Sequence, residues 1–220
     1  MENIETLHIA PLEGVTIVVA DVWPEAENSP LLTEEDLDHL ATLNAPARRA
    51  QWSTSRHIIR QLLGPTATIR YGSTGAPILI RPVGEVSHIS ISHSDSKVAV
   101  MLSGVRCGVD IEKLHRNFSR VASRYISHEE RARFEGQVGG HFEAIMWSAE
   151  EALYKYGSNP GLDFIRDMVI TGFDTELQTI SAELYGLTTP KIHYRFVGDH
   201  VLCYVWEERP TVTHSHPSLG

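Results

Sequence analysis

The chain has 220 residues, of which 42% are hydrophobic and 21% charged. This composition excludes a disordered protein and provides a core for one large domain or two small ones. The 28 acidic against 19 basic residues give a net charge of −9, which excludes broad nucleic-acid binding because phosphate backbones require a positive surface. No apolar run is long enough to cross a bilayer and the N-terminus lacks a signal-peptide pattern, so we expect a cytoplasmic protein without membrane contact.

The first half of the chain predicts one strand, two helices and a group of short strands. The β-branched run Val15–Val22 is typical of a buried strand. Thr33, followed by three acidic residues, predicts the start of a first helix, and a second helix is predicted over Pro46–Leu63, before Gly64. Alternating polarity and turn residues then predict strands at 66–71, 78–80, 87–92, 97–102 and 105–112.

The second half predicts two helices followed by strands. Helical spacing covers 118–134 and 141–156, and strands are predicted at 166–173, 177–184, 191–196 and 200–207. The segments Tyr71–Pro77 and Tyr185–Pro190 resemble each other faintly. The resemblance is compatible with an internal duplication, but on this match alone chance is the favoured explanation, since glycine and proline recur in hairpins.

The segment GVDIE places two carboxylates, Asp110 and Glu112, two residues apart in a predicted strand. Alternate residues share a face, so both carboxylates project together while Val109 and Ile111 face the core. A hard cation such as Mg²⁺ would relieve their repulsion. The alternative is an exposed strand face with two solvated acids.

Two further clusters carry chemical groups with regular spacing. Trp147, Glu151 and Lys155 recur every four residues and share one helical face, which suits a metal ligand or base beside a phosphate-binding lysine. Arg49 and Arg56 are placed to share a helical edge and grip phosphate. Each of these two patterns also fits an ordinary exposed helix. The segment ISISHS, at 89–94, ends a predicted strand with hydroxyl and imidazole groups that suit an anionic ligand, and it also fits an ordinary polar turn.

Taken in order, five segments resemble the 4′-phosphopantetheinyl transferase superfamily, and specifically its larger, pseudo-dimeric, surfactin-synthetase-activator type. The segments are RRAQWSTSR, YGSTGAP, ISISHS, GVDIE and WSAEEALYKYG. The resemblance implies an α+β fold with two similar α+β halves, related by a pseudo-twofold axis, and an active site in the cleft between them. The halves would comprise residues 1–113 and 114–220.

The resemblance also implies the site residues. Asp110, Glu112 and Glu151 would bind Mg²⁺, which would also touch the pyrophosphate of coenzyme A. Residues of the matching segments would contact coenzyme A, with Arg49 and Arg56 toward its adenosine phosphate. The implied coenzyme A contacts are Arg49, Arg56, Gly75, Ser92, His93 and Lys155.

The implied reaction transfers phosphopantetheine from coenzyme A to a serine of an apo acyl or peptidyl carrier protein and releases adenosine 3′,5′-bisphosphate. Lys155 would assist the departing phosphate, and Glu151 or a water on the metal would take the serine proton. Carrier proteins present acidic helices, and Arg116, Arg120 and Arg124 have helical spacing that suits a docking stripe, although a solvated helix face has the same spacing. The resemblance implies a monomer.

Two departures from the family pattern remove positive charges that would face coenzyme A phosphates. Glu150 replaces a lysine before the predicted metal ligand, and Ala76 replaces the lysine of a Gly-Lys-Pro segment. Glu150 can point to solvent, join the metal site, or mark an alternative function, namely a catalytically impaired protein that still binds coenzyme A or a carrier protein. The sequence does not identify the carrier protein.

Overall fold

The computed structural model describes residues 6–12, 14–72, 75–80, 83–159 and 161–208, and it shows the predicted α+β composition. Ser73 and Thr74 of the predicted turn lie outside these ranges. The helices are α1 (Glu34–Thr42), α2 (Pro46–Leu63), α3 (His128–Val138) and α4 (Phe142–Gly157). The strands are β1 (Thr6–Leu12), β2 (Val15–Asp21), β3 (Ile69–Tyr71), β4 (Pro77–Leu79), β5 (His88–Ser94), β6 (Lys97–Ser103), β7 (Cys107–Lys113), β8 (Met168–Asp174), β9 (Thr179–Leu184), β10 (Leu187–Thr188), β11 (Ile192–Val197) and β12 (His200–Trp206).

The first sheet has the antiparallel order β1-β2-β6-β5 and is buried on both faces. In β2, Val18 and Ala20 pack with Ile58 and Ile59 of α2, whereas Ile17 and the other alternate residues pack toward the second sheet. Burial on both faces explains why β2 is a continuous apolar run. Strand β1 was not predicted, and its pairing with β2 completes the edge.

The helices of the first half begin and end where the sequence predicts. Thr33 accepts a hydrogen bond from the backbone N–H of Asp36, whose carboxylate accepts one from the Thr33 N–H, so a capping box starts α1. Gly64 ends α2 with φ +89°, a conformation that glycine adopts without strain.

The second sheet has the order β10-β9-β11-β12-β7, with β8 paired to β9. The predicted helix over 118–134 is wrong in its first part, because α3 begins only at His128. Ser127 and Glu130 form a capping box that fixes this start. The preceding segment is a series of turns with a short 3-10 helix, and Phe118 and Tyr125 are buried there, which explains the misleading apolar spacing.

The two sheets meet where β5 lies beside β7, and three alternate serines make the polar contacts of this seam. Ser90 accepts from the backbone N–H of Val109 at 3.0 Å, and Ser94 accepts from that of Lys113 at 3.2 Å. Ser92 donates to Asp110. Strand β7 precedes the predicted boundary near Lys113 but pairs along its whole length with β12 in the second sheet.

Helix α4 crosses β7 very closely at Gly108. A Cβ atom at this position would lie 2.0 Å from the carbonyl oxygen of Ala152 and 2.8 Å from the backbone nitrogen of Tyr156. Only a residue without a side chain permits this approach. The close contact brings the face of α4 that carries Trp147 and Lys155 against the two acidic residues of β7.

Candidate functional site

Asp110 lies on β7 at the junction of the two sheets and is buried. Its Oδ1 accepts hydrogen bonds from Ser92 Oγ at 2.7 Å and from Lys155 Nζ at 2.8 Å. Its Oδ2 is buried and has no hydrogen-bond partner among the described residues. A buried carboxylate oxygen without a partner is costly, so this atom is suited to a ligand that supplies positive charge.

Glu112 projects from the same face of β7, as predicted, while Val109 and Ile111 are fully buried in the core between the sheets. Its Oε1 accepts from Trp147 Nε1 at 3.0 Å, and its Oε2 accepts from Ser94 Oγ at 2.8 Å. Arg116 Nη1 donates to both oxygens. Glu112 is therefore held from the first sheet, from α4 and from the turn after β7.

Glu151 and Lys155 lie on the face of α4 that meets β7, as their spacing predicts. Lys155 Nζ donates to Asp110 Oδ1 and, at 3.0 Å, to the carbonyl oxygen of Val109. Burial, and then the negative charge of Asp110, raise the pKa of Glu151 to about 7, although Lys155 opposes the shift. Glu151 therefore exchanges a proton near neutral pH.

The residues present fit a magnesium ion that is held by one or two carboxylates. Within the described ranges, no three His, Cys, Asp or Glu side chains are arranged to hold a metal by themselves, and Glu112 is directed to Arg116 and Trp147. Mg²⁺ commonly uses one or two carboxylates and completes its shell with water and phosphate oxygens. The unpartnered Oδ2 of Asp110 beside Glu151 suits such a site, and the three-carboxylate set stays a prediction.

Trp147 was predicted to anchor α4, and the structure adds a contact to Glu112 through its indole N–H. Its ring stacks on Phe164 with centroids 6.0 Å apart. We expect Trp147→Phe to keep the stacking but lose the charge-assisted hydrogen bond, which lowers the free energy of unfolding by about 1.5 kcal/mol. Denaturant unfolding in chelator measures this loss.

Trp206→Phe is the matched control, because Trp206 stacks on His193 and its indole makes no hydrogen bond within the described part of the chain. If both variants lose the same stability, the hydrogen bond to Glu112 contributes nothing.

Glu150 does not point to solvent, so that sequence-based alternative is wrong. Its side chain is fully buried in α4, and neither carboxylate oxygen has a hydrogen-bond partner in the described residues. Burial, and then the charges of Glu130 and Glu151, raise its pKa well above the usual value. The folded protein thus holds Glu150 as a neutral acid over a wider pH range than the unfolded chain does.

We expect Glu150→Gln to stabilise the protein increasingly as pH rises. Above the unfolded pKa, the wild-type unfolded chain loses a proton that the folded protein keeps, so its stability falls with pH until the raised folded pKa is reached. The variant has no such proton to lose, so the difference in the free energy of unfolding between variant and wild type can grow by at most about 1.4 kcal/mol per pH unit. Unfolding in chelator at pH 5 and pH 8 tests this expectation.

Glu129→Gln, on the exposed face of α3, is the control and should show no such trend. A pH-independent difference between Glu150→Gln and wild type would contradict the assignment.

His93 lies beside the site, at the end of β5. Burial, followed by the positive charges of Arg48 and Lys155, lowers its pKa to about 4, so the imidazole is neutral at physiological pH. Arg48 therefore contributes positive charge to the surroundings of His93. The sequence analysis did not select Arg48, because it considered only the spacing of Arg49 and Arg56. The adjacent pair Arg48 and Arg49 could have indicated it, since neighbouring residues of a helix project in different directions.

The predicted phosphate clamp of Arg49 and Arg56 is not formed, because the two guanidinium groups face different partners. Arg49 bonds Glu27 and the carbonyl oxygen of Leu40. Arg56 is 2% exposed, lies over the ring of Trp52 at 4.7 Å, and approaches Asp36 at 3.5 Å. A contact of either residue with coenzyme A stays a prediction.

The helical argument for a docking stripe is wrong, because Arg116 and Arg120 lie in turns and only Arg124 belongs to the short 3-10 helix. All three are exposed. Arg116 is bound to Glu112 and lies over the ring of Phe118 at 5.4 Å. Arg120 and Arg124 make no side-chain hydrogen bond or ion pair with the described residues and are therefore available to a partner.

A cavity of about 590 Å³ opens beside Glu151 and Lys155, and we name it the cleft cavity. Its walls come from β4 and the turn before it, from β5, from the start of β7 and from the last turns of α4. Gly75, with φ +77°, and Ala76 line it, and so does Arg106, which the sequence reasoning did not select. The volume and mixed walls are typical of a small-molecule site.

No described helix combines the length and the apolar character needed to span a membrane. No curated protein sequence matches the chain. Residues 106–205 match the sequence model of the 4′-phosphopantetheinyl transferase superfamily. This segment contains Asp110, Glu112, Glu151 and Lys155, and its similarity to the superfamily supports a phosphopantetheinyl transferase activity at that general level.

Proposed function

We propose that the protein is a magnesium-dependent 4′-phosphopantetheinyl transferase that uses coenzyme A as donor and the serine of an apo acyl or peptidyl carrier protein as acceptor. The observation that carries the proposal is the meeting of Asp110 and Lys155 beside the cleft cavity. Glu112 and Glu151 flank this pair, and all four residues lie in the segment that resembles the superfamily. Carboxylates and a lysine beside an open cavity suit a ligand that carries phosphate and a metal.

In the proposed reaction, the serine oxygen attacks the phosphorus that bears pantetheine. The bond from this phosphorus to the bridging oxygen breaks, and adenosine 3′,5′-bisphosphate leaves with the electron pair. Mg²⁺ at Asp110 would neutralise pyrophosphate charge. Lys155, on the wall of the cavity, is placed to donate to a phosphate oxygen, and Glu151, with its pKa near neutral, is suited to accept the serine proton.

Coenzyme A would lie along the cleft between the sheets. We place its pantetheine arm in the cleft cavity, whose wall beyond Lys155 is largely apolar. His93 and Arg48 are suited to an anionic phosphate of the nucleotide end, because the positive charges of Arg48 and Lys155 both act on His93. Arg48 is thus a better candidate than Arg49, which is engaged with Glu27.

The order of elements supports two similar halves. A strand, two α-helices, a hairpin and a further strand pair occur in 15–103, and the same order recurs in 107–206, where the short β10 is added between the hairpin and the strand pair. In each half the first strand pairs with the last, as β2 with β6 and β7 with β12. We therefore propose that the cleft lies between the two halves and that one chain supplies both sides of it, so that the enzyme acts as a monomer. We also propose that it is cytoplasmic and that the exposed Arg120 and Arg124 face the acidic carrier protein.

Transfer of a fluorescent coenzyme A analogue to apo carrier proteins, with magnesium and with chelator, tests the proposal. We expect labelling of the carrier serine only with magnesium. A carrier with that serine replaced by alanine is the control. Absence of labelling across acyl and peptidyl carriers would reject the transferase.

A binding protein of the same fold is the second candidate. Two observations favour it: Glu150 is acidic and buried behind Glu151, and Ala76 contributes no side-chain charge to the cavity wall. This candidate predicts that coenzyme A binds without labelling of any carrier. Calorimetric titration of coenzyme A alongside the transfer assay separates the two candidates.

A further inference from the structure

Arg106 lies immediately before β7 and lines the cleft cavity. Its guanidinium lies over the ring of Tyr156 at 4.4 Å, and its Nη2 donates to the Tyr156 hydroxyl at 3.2 Å and to Glu207 at 3.4 Å. Its Nε and Nη1 make no hydrogen bond with the described residues. The ring contact holds the cation in one place while two donors stay available.

Arg106 and Lys155 are the one arginine and the one lysine among the described residues of the cavity wall. Lys155 is bound to Asp110, and Asp110 lies four residues after Arg106, which in an extended strand separates their Cα atoms by about 13 Å. The same wall also carries apolar side chains, among them Ile78, Ile89 and Ile91. The wall therefore matches an elongated ligand with an acidic group at each end and an uncharged middle.

This pattern identifies the substrate class if the proposed function is correct, on which the inference rests. The pantetheine arm is an uncharged chain about as long as four extended residues, about 14 Å. With its phosphate at Asp110 and Lys155, its thiol end reaches Arg106. We propose that Arg106 binds a carboxylate attached to that thiol end, so that the protein prefers coenzyme A thioesters of short dicarboxylic acids to neutral acyl thioesters.

The test compares succinyl-coenzyme A with butyryl-coenzyme A, two thioesters of equal chain length that differ in a terminal carboxylate. Calorimetric titration in magnesium buffer gives the dissociation constants of both, and unmodified coenzyme A is titrated alongside. We expect the wild type to bind the succinyl thioester about 10-fold more tightly than the butyryl thioester, and Arg106→Gln to bind the two thioesters equally. Arg133→Gln, an exposed arginine of α3, is the matched control and should keep the preference.

A second variant keeps the test decisive if Arg106→Gln folds poorly. Glu207→Gln removes the carboxylate that competes for Arg106 and should increase the preference for the succinyl thioester. Equal wild-type affinities for the two thioesters, or a preference that persists in Arg106→Gln, would overturn the inference and leave the proposed function standing. If neither thioester nor coenzyme A binds, the proposed function fails and the inference with it.

Discussion

Replacing Gly108 with alanine is expected to prevent stable folding of the second half. The added methyl group would lie 2.0 Å from the carbonyl oxygen of Ala152, and this atom belongs to the backbone of α4 and cannot rotate away. Helix and strand must therefore separate, and a loss of about 3 kcal/mol or more is a large part of the stability of a typical domain. Thermal and denaturant unfolding measure the loss.

Gly136→Ala is the matched control, since Gly136 lies inside α3 and a Cβ there meets nothing within 4 Å. We expect this variant to gain up to about 1 kcal/mol, because alanine favours the helix. If Gly108→Ala unfolds like the wild type, the close packing of α4 on β7 is not what the structure indicates.

Replacing Asp110 with asparagine is expected to abolish the magnesium-dependent part of coenzyme A binding. Asparagine keeps the shape of the side chain and still accepts from Ser92, but the charge that suits both Lys155 and a metal is lost. We expect the dissociation constant for coenzyme A in magnesium to rise by about 100-fold, equivalent to about 2.7 kcal/mol. In chelator the two proteins should differ much less.

Calorimetric titration with and without chelator supplies the four constants needed. Asp21→Asn is the control, because Asp21 is an acidic residue of β2 that pairs with Lys97 of β6, and both strands belong to the first sheet, whereas Asp110 lies in the second. A magnesium-dependent gain that survives in Asp110→Asn would remove Asp110 from the proposed metal site.

Short sequence patterns correctly predicted the helices and strands that depend on a few neighbouring residues. The β-branched run of β2, the cap at Thr33 and the stop at Gly64 all appear where the sequence places them, because each depends on a few neighbouring residues. The alternation of β7 likewise predicted that Asp110 and Glu112 share a face. The same reasoning failed at 118–127, where apolar residues at helical spacing pack as turns because the capping box at Ser127 starts the helix later.

The candidate site was predictable as a set of residue types but not as a set of contacts. Spacing brought Glu151 and Lys155 to the face of α4 that meets β7, yet it gave no sign that Glu150 is fully buried or that Arg49 is bound to Glu27. Those facts depend on which elements pack together across the fold. Arg106 was missed for the same reason, since its importance comes from the cavity that distant elements form around it.

The serines of β5 that contact β7 limit how this chain can be divided. Ser92 and Ser94, which donate to Asp110 and Glu112, lie on β5, outside the segment 106–205 that resembles the superfamily. That segment also shares a core with Ile17 and Met101 of the first sheet. Grafted onto another protein, it would carry the acidic side chains without the hydroxyls that orient them. The acidic site is thus a joint property of both sheets and is not a transplantable module.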